Sequence, residues 1–152
     1  MDDFVFPRLD SKLEVEAGTI FAPKFDEKGL IVCIASDSES GEILMLAYMN
    51  AQALARTIET GEAHYWSRSR GELWHKGATS GSVQKVIEMR TDCDQDAILI
   101  KVRVGDTGAS CHLGYRSCFY RAVPIGDPAK TTMEFKETAP IADPTELYKK
   151  TD

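Results

Sequence analysis

The chain has little that would take it to a membrane or out of the cell. No apolar stretch approaches the ~20 residues needed to span a bilayer. The start, Met1-Asp2-Asp3-Phe4, has no basic n-region and no apolar h-region, so no secretory signal is expected and the expected location is cytoplasmic. Positive charge is also in short supply: 18 Lys and Arg stand against 24 Asp and Glu, a formal net charge of −6. An acidic chain is a poor general binder of nucleic acid or anionic membrane, so neither is expected as a partner, and any phosphate must meet a local basic cluster. There are only four cysteines in 152 residues. A chain this long buries about 70% of its unfolded surface and needs no staples. In a reducing compartment the four are read as thiols.

What is present fits one globular domain: 43% hydrophobic and 28% charged residues, with no repeat or low-complexity segment. Residues 1–28 read as an irregular arm, 29–123 as the domain proper and 124–152 as a polar extension. Two apolar runs, 30–35 and 43–49, flank a polar turn and predict a β-hairpin. Asn50 is placed to cap a helix with Ala51, Leu54, Ala55 and Ile58 on its apolar face, and Gly61 to end it. Strands are predicted at 63–68, 72–76, 83–90, 97–104 and 118–123. The clearest is 97–104, where Ile98, Ile100, Val102 and Val104 alternate with Lys101 and Arg103. Asp143-Pro144-Thr145-Glu146 predicts a short helix in the extension. The expected class is α+β and strand-rich, a single domain with one central helix.

Three segments carry chemistry. In Arg90-Thr91-Asp92-Cys93-Asp94-Gln95-Asp96, an extended chain would set Asp92, Asp94 and Asp96 on one face and Cys93 on the other. Crowded carboxylates repel one another unless a cation neutralises them, and the alternative is a solvated acidic turn; oxygen donors suit Mg²⁺ and the Cys93 thiolate suits Zn²⁺. A calcium loop is excluded, because Ala97 and Arg103 occupy the positions of its invariant Gly and bidentate Glu. The second segment, Cys111-His112-Leu113-Gly114-Tyr115-Arg116-Ser117-Cys118, adds two thiols and an imidazole. With Cys93 it makes three thiols, the number that leaves a catalytic zinc one open position. His112 reads as a fourth ligand, a general base or a structural hydrogen-bonder; an imidazole is a residue type suited to a proton shuttle. The third segment, 65–81, supplies the basic cluster. Arg68, Arg70 and Lys76 suit phosphates, Thr79-Ser80-Gly81 offers hydroxyls and close backbone approach, and Trp66 and Trp74 suit stacking on a base. Cys33, inside an apolar run, reads as a core residue.

Together these segments resemble phosphoribosyl-AMP cyclohydrolase, an enzyme family of histidine biosynthesis. The resemblance spans about 30–123. It is carried by Leu44-Met45-Leu46-Ala47-Tyr48-Met49-Asn50, Trp66-Ser67-Arg68-Ser69-Arg70, Leu73-Trp74, Lys76-Gly77, Thr79-Ser80-Gly81, the Asp92–Asp96 segment, Cys111-His112 and Arg116-Ser117-Cys118-Phe119-Tyr120-Arg121. It implies an intertwined homodimer and hydrolysis of 1-(5-phosphoribosyl)-AMP at the N1–C6 bond by a zinc-bound hydroxide. In such a dimer the zinc ligand matching Cys93 comes from one chain, and those matching Cys111 and Cys118 from the other. Asp92, Asp94 and Asp96 match the Mg²⁺ ligands, and His112 is the candidate to move protons. Trp66, Arg68, Arg70, Trp74, Lys76, Thr79, Ser80, Gly81 and Arg116 are the expected substrate contacts.

Ala78 stands where many members carry an acidic residue and offers no ligand. The 29 residues after Val123 are too few for the pyrophosphohydrolase fused in bifunctional relatives, so a separate enzyme is expected to make the substrate. Two other classes fit the sequence less well. A nucleobase deaminase would need His-x-Glu with Pro-Cys-x-x-Cys, and neither occurs. A dimerisation module with purely structural zinc would leave the aspartates and the Trp/Arg/Lys segment idle.

Overall fold

The computed structural model describes residues 4–137 and 139–147. Its elements are α1 (Lys12–Ala17), β1 (Ile31–Asp37), β2 (Ile43–Met49), α2 (Ala51–Thr60), β3 (His64–Ser67), β4 (Glu72–His75), β5 (Gln84–Thr91), β6 (Ala97–Val104), β7 (Arg121–Ala122), β8 (Glu134–Phe135) and α3 (Pro144–Leu147). The class is α+β and strand-rich. No helix among the described residues is long and apolar enough to cross a membrane.

The main sheet has four strands in the order β2-β1-β6-β5. The β1–β2 and β5–β6 hairpins are antiparallel and meet through a parallel β1–β6 pair, which makes the sheet mixed. Alternation on β6 buries Ile98, Ile100 and Val102, as the sequence pattern requires. Cys33 joins them in the core, where burial pushes its thiol up to about 12. A register shift between Ala35 and Ser36 opposite β2 accompanies the burial of two consecutive residues, Leu44 and Met45. β3 and β4 form a separate hairpin, and β7 and β8 a third.

Asn50 caps α2 by accepting from the Ala53 N–H at 2.8 Å, and Gly61 ends it in the left-handed region at φ 73°. The buried face differs from the expected one. It consists of Ala53, Leu54, Ala55 and Thr57, and Ile58 is 52% exposed. Thr57 wins its place by hydrogen bonding: its hydroxyl donates to the Ala53 carbonyl (2.8 Å) and accepts from the His64 N–H (2.9 Å).

Three further expectations change. The arm contains α1, which an apolar-periodicity reading misses because none of its residues is buried; it forms under a Ser11 cap. The strand expected at 118–123 shrinks to Arg121–Ala122, because Ser117 and Cys118 bond the edge of β2 instead. Segment 92–96 is a turn, not extended chain: the Gln95 N–H donates to the Asp92 carbonyl at 3.1 Å. In the extension, Asp143 accepts from the Thr145 N–H at 2.9 Å at the start of α3.

His64 is buried, and its ring stacks on His75 with centroids 4.4 Å apart. Burial holds its pKa below the ordinary imidazole value, and His75 adds to the effect. The folded value lies below the unfolded one, so this contribution to stability is present above about pH 6.5 and is lost as pH falls through the folded value. Urea unfolding should give a lower midpoint at pH 5.5 than at pH 7.5, and His64→Phe should reduce that difference.

Candidate active site

The acidic turn joins β5 to β6. Ligand atoms of Asp92, Asp94 and Asp96 lie within 4.8 Å of one another. Asp92 Oδ1 also accepts from the Asp96 and Ala97 N–H groups, each at 3.1 Å. Crowding divides the carboxyls. Asp96 is pushed up to about 6, first by its hydrogen bond with Asp94 and then by burial and by Asp92, whereas Asp94 is held below the usual carboxylate range. Three carboxylates with ligand atoms within 4.8 Å of one another form a donor set that fits a hard dication.

Cys111 and Cys118 lie together at the opposite end of the β5–β6 hairpin. Cys118 is tied to β2 through its N–H to the Leu44 carbonyl at 2.7 Å. Cys111 follows Ser110, whose hydroxyl accepts from Gln84 Nε2 at 3.4 Å at the start of β5. The two thiols hydrogen-bond, and the Cys118 thiol is pushed up to about 11 by burial and by Cys111. The Leu113 N–H donates to Cys111 Sγ at 3.5 Å, a bond that strengthens when the sulfur is a thiolate. Two adjacent thiols with a backbone donor fit a soft cation such as zinc, which deprotonates its thiol ligands.

Cys93 does not join them within this chain. It lies two residues past the end of β5, and seven steps at about 3.3 Å separate Gln84 from Thr91 by roughly 23 Å. A shared zinc, with bonds of about 2.3 Å to each sulfur, needs thiols within roughly 4 Å. Cys93 is exposed instead, in a cleft formed with the N-terminal arm.

The aromatic segment makes a cleft of about 530 Å³ between β2 and the β3–β4 hairpin, lined by Tyr48, Trp66, Arg68 and Trp74 among others. The Arg68 guanidinium sits 4.1 Å over the Tyr48 ring. Arg70 is exposed; its Nε lies 3.2 Å from Ser67 Oγ and 3.6 Å from Glu72. Lys76 differs from these arginines in its surroundings. It is buried, donates from Nζ to the Ser110 carbonyl at 2.6 Å and lies 5.2 Å from the Trp74 ring centroid. Burial lowers its pKa, opposed by the charges of Cys118 and Cys111. Lys76 thus connects the aromatic cleft to the thiol pair.

Thr79, Ser80 and Gly81 lie in the tight turn after Lys76, closed by the Gly81 N–H to the Gly77 carbonyl at 2.8 Å. His112 is exposed beside Cys111. Arg116 is exposed and lies 3.9 Å from Glu42. Tyr48 and Gln95 are site neighbours that the sequence reading assigned no role. Tyr48 lies on a core strand, and Gln95 carries no charge to draw notice among aspartates.

The chain is similar to known proteins. The model of the family described as phosphoribosyl-AMP cyclohydrolase matches residues 45–120. The chain belongs to the phosphoribosyl-AMP cyclohydrolase family. Members of that name include the protein of Nitrobacter winogradskyi, 53% identical over 139 residues (91% of this chain and 94% of the relative). That of Mesorhizobium japonicum is 52% identical over 146 residues, covering 95% of each chain. That of Brucella anthropi is 58% identical over 119 residues, covering 78% of this chain and 84% of the relative. By family, then, the chain is an enzyme, a cyclohydrolase.

The cysteine loop is held from outside the family match. The Gly114 carbonyl accepts from the Ile141 and Ala142 N–H groups at 2.9 and 3.1 Å. Gly114 has φ 89°, and a Cβ there would lie 1.9 Å from the Ala142 carbonyl oxygen. Gly114→Ala should therefore release the tail and destabilise the loop by about 1–3 kcal/mol. Thermal unfolding and limited proteolysis near residue 140 check this.

Proposed function

We propose that the chain hydrolyses 1-(5-phosphoribosyl)-AMP at the N1–C6 bond of the adenine ring, a step of histidine biosynthesis, giving the formimino-aminoimidazole carboxamide ribonucleotide. It acts in the cytoplasm as a homodimer with two composite sites and has no nucleic-acid or membrane partner. The observation that carries this reading is the thiol pair beside a tryptophan-lined cleft, in a chain matched along most of its length by cyclohydrolases.

The chemistry follows from the substrate's charge. A ribosyl group on N1 makes the purine cationic and C6 electrophilic. Trp66 and Trp74 stack on that cationic ring and favour it over neutral adenine. Arg68, Arg70 and Arg116 meet phosphate oxygens, and Thr79, Ser80 and Gly81 add hydroxyl and backbone donors. Lys76 holds positive charge next to the thiols. Cys111 and Cys118 of one chain with Cys93 of the other would hold Zn²⁺, which as a Lewis acid lowers the pKa of a water molecule. Asp92, Asp94 and Asp96 would hold Mg²⁺ and order the turn that carries Cys93. His112 takes a proton from the attacking water at an imidazole nitrogen and delivers one to N1 as C6–N1 breaks. Water is thereby added across that bond, its oxygen remaining on C6.

Ultraviolet absorbance should record ring opening of phosphoribosyl-AMP in the presence of Mg²⁺, abolished by a zinc chelator and restored by Zn²⁺. His112→Ala should lower turnover by about 10²–10⁴-fold while zinc content stays near that of the unaltered protein. Absence of turnover in folded, zinc-loaded protein would contradict the reading. Unchanged turnover in His112→Ala would remove the proton-transfer assignment.

A further inference from the structure

The N-terminal arm lies outside the family match, which begins at residue 45, yet it makes close contact with the acidic turn. The contact runs through Gln95, between Asp94 and Asp96. Gln95 is 4% exposed. Its Oε1 accepts from the Ala22 N–H at 2.8 Å. Its Nε2 donates to the Val15 carbonyl at 3.0 Å and to the Ile20 carbonyl at 3.2 Å. Its own carbonyl accepts from the Lys24 N–H at 2.7 Å. A glutamine amide has one acceptor oxygen and two donor hydrogens, so its capacity to donate is filled by the arm.

The backbone of Gln95 adds a second observation. Its φ is 58°, in the left-handed region where glycine or asparagine fits with less strain. Glycine has no side-chain amide and asparagine is one methylene shorter, so neither reproduces the three arm bonds. A residue stays in that region where its surroundings over-determine it. The arm is itself fixed, through Phe6 packed on Phe21 and Phe25 with ring centroids 5.6 and 6.2 Å away. Arm and turn together wall a cleft of about 330 Å³ that includes Asp92 and Cys93.

We infer that Gln95 is a positioning residue that couples docking of the N-terminal arm to the geometry of the acidic turn, and so to Asp92, Asp94, Asp96 and Cys93. Its effect on metal affinity rests on the reading of these aspartates as cation ligands; the mechanical coupling does not. By linkage, a cation on the turn and docking of the arm favour each other by the same factor.

The test uses the full chain and two variants. Gln95→Ala cuts the latch, and Phe6→Ala loosens the arm without altering the turn. Hydrogen exchange reads the coupling without metal. Phe6→Ala should speed exchange of the Ala22 and Lys24 amides and, with them, the Asp96 and Ala97 amides, about fivefold or more. Mn²⁺ titrated with paramagnetic resonance detection should bind about five- to tenfold more weakly to both variants. The Mg²⁺ concentration for half-maximal turnover should rise, with kcat recovering at saturating Mg²⁺, a split that general loss of fold does not give. Gln95→Glu, which keeps the acceptor but turns a buried carboxylate oxygen toward the Val15 and Ile20 carbonyls, should loosen the arm at least as much as Gln95→Ala.

Freed arm amides with unchanged protection at Asp96 and Ala97 would overturn the inference. If the unaltered chain binds no Mn²⁺ and Asp94→Asn changes nothing, the cation reading fails, and exchange at Asp96 and Ala97 alone decides the coupling.

Discussion

The β5–β6 hairpin holds two sets of metal-type donors at its two ends. Its length, roughly 23 Å along β5, is beyond the reach of any pair of side chains. The thiols of Cys111 and Cys118 are adjacent at the open end, and Cys93 projects from the turn at the other. In the proposed reading this rigidity is what makes the site composite. A chain that cannot fold Cys93 back onto its own thiol pair completes the set only by presenting its turn to a second copy, and two-fold symmetry then builds two sites at once.

Two buried glutamines mark the two ends of that hairpin. Gln84, at the start of β5, accepts from the Tyr65 hydroxyl at 2.6 Å and donates to Ser110, fixing the approach to Cys111. Gln95, in the turn, binds the N-terminal arm. The tail plays a corresponding part at the cysteine loop, where Gly114 accepts from residues 141 and 142 and Tyr120 stacks between Tyr115 and Phe135. Both extensions therefore brace the segments that carry the candidate ligands.

Elements with a strong local signal were legible in the sequence. The alternation on β6 and the Asn50 and Gly61 boundaries of α2 appear where periodicity and capping put them. The signal failed where a polar group won a buried place. Thr57 displaces Ile58 from the α2 core face because it bonds both Ala53 and His64. Lys76, a basic side chain expected to meet phosphate, is buried and donates to the Ser110 carbonyl, a placement its charge does not announce. The aspartates were legible as a cluster, but they converge through a turn that only the Asp92 and Gln95 hydrogen bonds reveal. The arm's role was hidden because its partners are backbone groups, whose pairing leaves no trace in residue identity.

Mixing two inactive variants tests the composite site most directly. Cys93→Ser and Cys111→Ser chains, each unable to hold a full ligand set, are refolded together at equal amounts. Random pairing makes half the dimers mixed, each with one intact site of two, so zinc-dependent turnover should return to about a quarter of that of the unaltered protein. No recovery, with mixed dimers demonstrated by mass, would contradict a site built from two chains.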